Sequence, residues 1–309
     1  MISLVEAQEI VIGGCEPVAP VIVDCQQMSG RVVAQDVVAT EFIPPFDNTA
    51  VDGFAVRAQD VTNAGIELEV LGVIGAGHVA SYEIGAGQAA RIMTGAPMPQ
   101  GADAVVMIED ATVLSANRVQ INKPARVGEA IRKIGEDVRA GDVVFKTGAL
   151  INAAGIGVLA GINARKVMSY PKLRVAMLST GDELVIDGSE LKPGQIRESN
   201  LTMLSAMIAA TGCEVINLGI IEDNEQKLEA TLRDVAQRCD AIVTSGGVGQ
   251  GDFDVVKIVL SRIAEMQWMQ MAIKPAKPFA FGKLATSDGR GIPIFGFPGN
   301  PGSSMISFE

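Results

Sequence analysis

The sequence of 309 residues has little of what common metal sites and nucleic-acid-binding faces are built from. It holds four cysteines without C-x-x-C spacing and a single histidine, His78, which disfavours a zinc site. Lysine and arginine number 25 against 36 aspartates and glutamates, so the formal net charge of −11 argues against a basic face that binds nucleic acid. The longest run of small apolar residues, within 153–162, is about half the length of a membrane span. We therefore expect neither nucleic acid nor membrane among the partners.

Aromatic residues are also scarce, at 4%, so the cores must be built from Val, Ile, Leu, Ala and Met. The overall balance of 48% hydrophobic and 20% charged residues is that of a globular chain. The first ten residues carry Glu6 and Glu9 without a basic segment, which is not typical of a secretory signal peptide. These features predict a protein of the reducing cytoplasm.

The sequence patterns in the first half of the chain predict a mixed helix-and-strand region and a mainly β region. Residues 1 to about 40 alternate helical and strand-like patterns, and short β-type runs broken by glycines follow from Pro44 to about Val138. A buried helix is expected after Gly148, with Asn152 as its N-cap. We predict an N-terminal linker domain of 1–43 and 139–170 and an inserted, mainly β domain of 44–138.

After Tyr170, strand and helix patterns alternate, which is typical of a parallel, doubly wound sheet. We therefore predict an α/β multidomain protein with a doubly wound domain at 171–309. The sequence stops after SMISFE, inside a predicted helix, and we expect further C-terminal residues to be missing.

Three loops follow predicted strands of this domain, where ligands bind in such sheets. Each could be an ordinary turn, but three together favour a site. They are STGDEL at 179–184, with Asp182 and Glu183; TSGGVGQGDFD at 244–254, with Gly246, Gly247, Gly249, Asp252 and Asp254; and PGNPGSS at 298–304, in which Ser303 and Ser304 are candidate helix caps.

The glycine loop offers backbone N–H groups to an anion, and two carboxylates follow it at once. It does not match G-x-G-x-x-G, because Asp252 stands in place of the last glycine, and no P-loop motif occurs, which disfavours a dinucleotide or P-loop site. Lys274 and Lys277 each precede a proline, which predicts an extended strand carrying two cations. They suit phosphate or oxyanion binding, or simply protect a solvated sheet edge.

In the first half, PPFDNTAVDGFAV at 44–56 places Asp52 and Gly53 between apolar residues. Such a pair is either a turn or a placed chemical group, and the segment alone does not decide between them.

Several motifs occur together in a specific order: NTAVDGFA, RIMTGAPMPQGADAVVM, IRKIGEDV, STGDEL, SGGVGQGDFD, KPAKPFAFGK and PGNP. In this combination, from about residue 20 to the last residue, the chain resembles the MoeA-type molybdopterin molybdenumtransferases, to which the E domain of gephyrin is related. The resemblance implies a MogA-like domain at 171–309, an elongated linker domain and a small C-terminal β domain that this sequence lacks beyond Glu309.

The resemblance also implies a reaction: Mg²⁺-dependent insertion of molybdate into adenylylated molybdopterin, with release of AMP, by a homodimer with shared sites. The molybdopterin adenylyltransferase is a possible partner. Position by position, the family's functional residues fall on Asp52, Thr94, Glu183, Asp223, Asp254, Lys274, Lys277, Pro298 and Pro301. Glu183, Asp223, Asp252 and Asp254 are the predicted Mg²⁺ ligands, whereas Gly246, Gly247, Gly249, Lys274, Lys277, Pro298, Asn300, Pro301 and Ser303 are the predicted substrate or oxyanion residues.

The sequence departs from the family at two places. Asp252 stands where many members have Glu, and GQIRESN replaces a pattern with an aromatic-acidic pair, which leaves the roles of Arg197 and Glu198 open. Two other functions remain open, a scaffold protein on the same fold and the adenylyltransferase itself, and so does the choice between molybdate and tungstate.

Overall fold

The computed structural model describes residues 1–248 and 254–309. These residues form two compact units: an α/β unit of Met1–Val21 and Tyr170–Glu309, and a β-rich unit of Ile22–Ser169. Among the described residues, no helix has both the length and the apolar character required to cross a bilayer.

In chain order, the helices are α1 Leu4–Gly14, α2 Ala153–Gly161, α3 Asn200–Ala210, α4 Glu225–Ala236, α5 Val255–Ile263 and α6 Pro301–Phe308. The strands are β1 Val21–Asp24, β2 Val37–Val38, β3 Asn48–Thr49, β4 Gly53–Val56, β5 Ile66–Ile74, β6 Gln88–Ile92, β7 Ala104–Met107, β8 Ala111–Ser115, β9 Arg118–Ile121, β10 Ile131–Arg132, β11 Val143–Phe145, β12 Lys166–Ser169, β13 Arg174–Thr180, β14 Leu184–Val185, β15 Ile196–Arg197, β16 Glu214–Ile221, β17 Ala241–Ser245, β18 Ala264–Gln270, β19 Pro278–Ala285 and β20 Gly291–Phe297.

The α/β unit is built on a six-stranded sheet in the order β16-β13-β17-β20-β19-β18. Helices cover both faces, because side chains alternate along β13: Val175 and Met177 pack with α3, whereas Ala176 and Leu178 pack with α4 and α5. This confirms the doubly wound domain. The sheet is not wholly parallel, however: β19 is antiparallel to both β18 and β20. Each of these two connections is a short loop, and a parallel pairing would need a longer crossover.

The first helix, α1, also packs on this sheet. Ala7 is buried in the cluster that holds Val175 and Met177, and Gly14 lies so close to Phe281 that an added Cβ would come within 2.3 Å of the ring. Whether 44–138 forms a domain separate from 1–43 and 139–170 stays a prediction.

The β-rich unit holds a second six-stranded sheet, in the order β7-β4-β6-β5-β9-β8. Strand β4 is buried on both faces: Phe54 and Val56 point into one cluster, and Ala55 into another. This explains why the residues after Asp52 are uniformly apolar. The smaller pairs β1-β12, β2-β11 and β3-β10 complete the unit together with α2, whose N-cap is Asn152 as predicted.

Candidate active site

A cavity of about 560 Å³ opens at the carboxyl ends of the parallel strands in the α/β unit. We call it the strand-end cavity. Its lining includes residues that end or follow β13, β17 and β20, namely Thr180, Ser245 and Gly299. Strand β16 lies on one side of β13, and β17, which follows β16 and α4 in the sequence, lies on the other side. The cavity is therefore at the point where the strand order reverses. Ligands bind at such switch points in open α/β sheets.

Three helices begin at this cavity. Asn200, Val255 and Pro301 are the first residues of α3, α5 and α6, and all three line it. The unpaired N–H groups and the dipole of a helix N-terminus favour negative charge nearby. An anionic group can therefore be held in the cavity although the whole chain is acidic.

Three predicted carboxylates line the same cavity: Glu183, Asp223 and Asp254. Burial raises the pKa of Asp223, and the neighbouring charges of Asp182, Glu183 and Asp254 raise it further, while a hydrogen bond from the Asp182 backbone lowers it in part. Repulsion of this kind is relieved by a bound cation.

Asp254 also has a structural role as the N-cap of α5. Its Oδ1 accepts hydrogen bonds from the N–H groups of Val256 at 3.2 Å and Lys257 at 3.4 Å. Within residues 1–248 and 254–309, no three His, Cys, Asp or Glu side chains are grouped tightly enough to form a metal centre by themselves. The predicted ligand Asp252 and the predicted amide donor Gly249 lie outside the described residues.

Gly246 and Gly247 line the cavity in left-handed conformations, with φ of 93° and 78°. The Gly246 N–H already donates to the Phe297 carbonyl at 3.0 Å, so an anion must use other amides of the loop. At Gly247, an added Cβ would come within 2.3 Å of Val256, so the turn requires glycine.

The PGNPGSS loop contributes to the cavity through Gly299 and Pro301. The predicted caps Ser303 and Ser304 are wrong: Asn300 is the N-cap, and its Oδ1 accepts from the Ser303 N–H at 3.2 Å. Proline at the first helical position fixes the start of α6 one residue after Asn300. The Ser304 hydroxyl instead donates to the carbonyl of Pro298.

Lys274 and Lys277 are exposed, and neither lies on an extended strand as predicted. They lie in the loop before β19, where the Met271 N–H donates to the Lys277 carbonyl at 2.7 Å and closes a turn. Neither is among the lining residues of the strand-end cavity, and neither forms an ion pair with a described residue. Their role in anion binding stays a prediction.

The cavity also holds polar residues to which the sequence assigned no role. Arg197, Glu198 and Asn200 line it, and the last two are more than nine-tenths buried. A signal was present in the sequence: Ser179 and Ser245 follow apolar runs near the ends of β13 and β17, and buried polar side chains at such positions require partners.

Asp52 and Thr94 meet in the β-rich unit, and we call this pair the Asp52 corner. Strand β4 pairs with β6 so that Gly53 lies opposite Ile92, which brings the start of one strand to the end of the other. Asp52 Oδ1 accepts from the Thr94 hydroxyl at 2.6 Å and from the Thr94 N–H at 2.7 Å. Both bonds lower the pKa of Asp52, and the bond from the Thr94 hydroxyl has the larger effect.

Gly53 is not the tip of a hairpin, because β3 and β4 belong to different sheets. It begins β4 at a position where an added Cβ would lie 2.0 Å from the Val106 carbonyl oxygen. The Asp-Gly pair therefore reflects a carboxylate held by Thr94 beside a close approach of two strands.

Comparisons with known proteins cover the whole chain. The family described as MoeA N-terminal region (domain I and II) matches residues 2–162, and the family described as probable molybdopterin binding domain matches residues 176–309. The molybdopterin molybdenumtransferase of Haemophilus influenzae is 38% identical over 92% of this chain and 69% of its own length. Molybdopterin molybdenumtransferase 2 of Mycobacterium tuberculosis is 37% identical over all of this chain and 77% of its own length.

The structures agree with the sequences. The crystal structure of the molybdopterin biosynthesis MoeA protein from Pyrococcus horikoshii OT3 has a TM-score of 0.82 at 30% identity, over 100% of this chain and 76% of that one. The chain therefore belongs to the MoeA family of molybdopterin molybdenumtransferases, enzymes of molybdenum cofactor biosynthesis.

Proposed function

We propose that this protein catalyses the Mg²⁺-dependent insertion of molybdate into adenylylated molybdopterin, with release of AMP. The observation that carries the proposal is the meeting in one cavity of three helix N-termini and three carboxylates. The helix N-termini favour phosphate or oxyanion groups, whereas Glu183, Asp223 and Asp254 favour a cation. A magnesium-phosphate substrate satisfies both.

The carboxylates fit Mg²⁺ in their chemistry. They supply oxygen ligands, and burial together with the neighbouring carboxylates raises the pKa of Asp223, a repulsion that a bound cation would relieve. Mg²⁺ is usually held by one or two carboxylates together with substrate phosphates, so the substrate would complete its coordination. When bound, the ion would neutralise phosphate charge at the bond that releases AMP.

The chain's own residues prepare the site. One carboxylate oxygen of Asp254 accepts hydrogen bonds at the N-terminus of α5, which fixes the side chain in the cavity lining. Gly246 and Gly247 place no side chain in the cavity lining at these two positions, so that substrate can approach the backbone there. Arg197 supplies a positive charge to the lining, and Lys274 and Lys277 are the further cations proposed for the oxyanion. Asp252 remains a second proposed ligand of the metal.

The Asp52 corner belongs to the proposal through the homodimer. In this arrangement, Asp52 and Thr94 of one chain complete the strand-end cavity of a second copy. The support is that Asp52 is exposed, yet its charge is already fixed by Thr94, as a pre-organised group requires. The molybdopterin adenylyltransferase is the partner that we propose for substrate delivery.

The test is direct. The protein is incubated with adenylylated molybdopterin, Mg²⁺ and either molybdate or tungstate, and AMP is measured against mixtures without oxyanion and without Mg²⁺. We expect AMP only in the complete mixtures, and the faster oxyanion identifies the substrate. If no mixture releases AMP, the scaffold function is favoured. If a separate mixture of ATP and molybdopterin releases pyrophosphate, the adenylyltransferase function is favoured.

A further inference from the structure

Glu198 is a buried carboxylate at the strand-end cavity with one oxygen left over. Its side chain is 9% exposed, and Oε1 accepts from the Ser179 hydroxyl at 2.9 Å and from the Leu201 N–H at 2.6 Å. The other oxygen, Oε2, is buried and has no hydrogen-bond partner among the described residues. A buried acceptor without a donor is costly, and more so when it belongs to a charged group.

Asn200 repeats this arrangement two residues later. It is 7% exposed, and its Nδ2 donates to the Ser245 hydroxyl at 2.7 Å and to the Gly299 carbonyl at 2.8 Å. The Gly299 carbonyl can only accept, so it settles which end of the amide is nitrogen. The Oδ1 atom is buried and, like Glu198 Oε2, finds no donor among the described residues.

The two bare acceptors are anchored side by side. Ser179, which holds Glu198, and Ser245, which holds Asn200, are Cα partners on the adjacent parallel strands β13 and β17. Neighbouring strands lie about 5 Å apart. Glu198 and Asn200 both line the cavity, and their serine partners on adjacent strands bring these two side chains close together.

The chemistry of the pair selects its ligand. Phosphate and oxyanion groups carry acceptors and are repelled by this pair at the start of α3, so they belong nearer the N-termini of α5 and α6. Two adjacent N–H donors on a flat ring satisfy both oxygens. We infer that Glu198 Oε2 and Asn200 Oδ1 receive the amino–amide edge, the 2-amino group and N3–H, of a 2-amino-4-oxopteridine ring. The inference rests on the proposed function, because it assigns the seat of the pterin end of that substrate.

Such a seat gives specificity for the 2-amino group. A ring with a carbonyl at position 2 places an acceptor against Glu198 and leaves a buried charge unpaired. Sites built to hydrogen-bond a substrate group reject analogues that lack the group. The expected discrimination in binding is at least about 10-fold, from the worth of one hydrogen bond to a charged acceptor.

The test compares two probes, the phosphate esters of 6-hydroxymethylpterin and of 6-hydroxymethyllumazine, whose 2-position is a carbonyl. Calorimetric titration of the wild-type chain should show the pterin bound more tightly by at least about 10-fold. Glu198→Gln keeps the oxygen that faces Ser179 and Leu201 but replaces Oε2 with an N–H₂ donor. This variant should lose at least about 10-fold in pterin affinity and bind the lumazine better than wild type does, which reverses the preference.

The matched control is Ser205→Ala. Ser205 lies on α3 and has a buried hydroxyl without a partner among the described residues, as Glu198 and Asn200 have bare oxygens, but it does not line the cavity. Its removal should leave the affinity for both probes unchanged. Should Glu198→Gln fail to fold in a thermal melt, Asn200→Ala is used with the same probes and should reduce the pterin preference.

Equal binding of the two probes by the wild-type chain, or binding of neither, overturns the inference. An unchanged preference in a folded Glu198→Gln variant does so as well. The AMP assay is independent of these results. AMP release without a pterin preference leaves the proposed function standing and removes the pterin seat, whereas a pterin preference without AMP release does the reverse.

Discussion

At the Asp52 corner, one carboxylate receives two hydrogen bonds from Thr94, whereas several carboxylates line the strand-end cavity. The consequence is opposite: the pKa of Asp52 is lowered, and that of Asp223 is raised. The first charge is stabilised by the fold itself. The second is costly until a ligand arrives, which marks the cavity as the place where binding energy is gained.

A third carboxylate shows that the geometry of the corner is not a sign of function by itself. Asp36 accepts from the N–H and the hydroxyl of Thr147 at 2.7 and 3.0 Å, as Asp52 does from Thr94, and its pKa is lowered for the same reason. Asp36 lies in no motif that carries the family resemblance. The Asp36–Thr147 pair is therefore a built-in control for every test of the Asp52 corner.

The largest effect is expected at Asp254. Asp254→Asn removes a charge from the cavity but keeps an N-cap, since Asn caps helices as well as Asp does. Mg²⁺-dependent AMP release should fall by at least about 100-fold, because even outer-shell partners of a metal cost up to that much. The melting temperature should stay nearly unchanged.

Asp234→Asn is the control, because Asp234 is exposed on α4 and does not line the cavity. Turnover of the Asp254→Asn variant at the wild-type rate would remove Asp254 from the proposed metal ligands.

The next prediction joins the two regions through the proposed dimer. Asp52→Ala chains and Asp254→Ala chains, each inactive alone, are mixed and allowed to exchange subunits. With random pairing, about half of the dimers are mixed and each has one intact site, so roughly a quarter of wild-type AMP release should return. Asp36→Ala chains should be active without mixing. No recovery, with exchange verified by mass, would confine Asp52 to its own chain or to a structural role.

A smaller effect is expected at the two exposed lysines. Lys274→Gln or Lys277→Gln should weaken oxyanion binding by about 10-fold, the worth of one charge-assisted contact. Binding to the wild-type chain should also weaken with added salt, since exposed charges are screened. Lys283→Gln, on β19 and paired with Glu16, is the control. If both test variants bind the oxyanion as tightly as wild type does, the lysines do not bind the anion and only protect a solvated edge.

Titration of Asp223 sharpens the comparison without any assay of turnover. Burial and, after it, repulsion by neighbouring carboxylates raise the pKa of Asp223, so Mg²⁺ bound to the cavity should lower that pKa. Mg²⁺ affinity should fall as the pH drops and Asp223 binds a proton. The measurement is a carboxyl NMR titration with and without Mg²⁺. If the pKa of Asp223 is the same with and without saturating Mg²⁺, the ion does not bind beside Asp223.

The smallest effect is expected at the Asp52 corner. Thr94→Val removes the hydroxyl and keeps the N–H donor, so the pKa of Asp52 should rise toward its ordinary value. A lowered pKa contributes stability above the unfolded pKa, about 3.9, that is lost as the pH falls through the folded pKa. The gap in melting temperature between wild type and variant should therefore be present at pH 7 and close in strong acid.

Thr147→Val should behave in the same way in stability, while only Thr94→Val lowers AMP release. If the two variants release AMP equally, the Asp52 corner has only a structural role, as the Asp36–Thr147 pair has.

Local sequence determined much of this protein. The alternation of strand and helix after Tyr170 predicted the doubly wound unit, and short-range signals placed the Asn152 cap and the glycine loop, because periodicity and capping depend on neighbours in the chain. The motifs in their order were enough to indicate the family before any contact was known.

The tertiary structure alone decided the contacts between distant residues. It paired Asp52 with Thr94 across 42 positions, made β19 antiparallel, and put Lys274 and Lys277 in a loop. It also gathered Glu198 and Asn200 beside two serines on neighbouring strands, whereas the sequence indicated only that the serines need partners and not which residues supply them. The reason is physical: strand pairing and buried hydrogen bonds join groups far apart in sequence, and their energies depend on which groups meet.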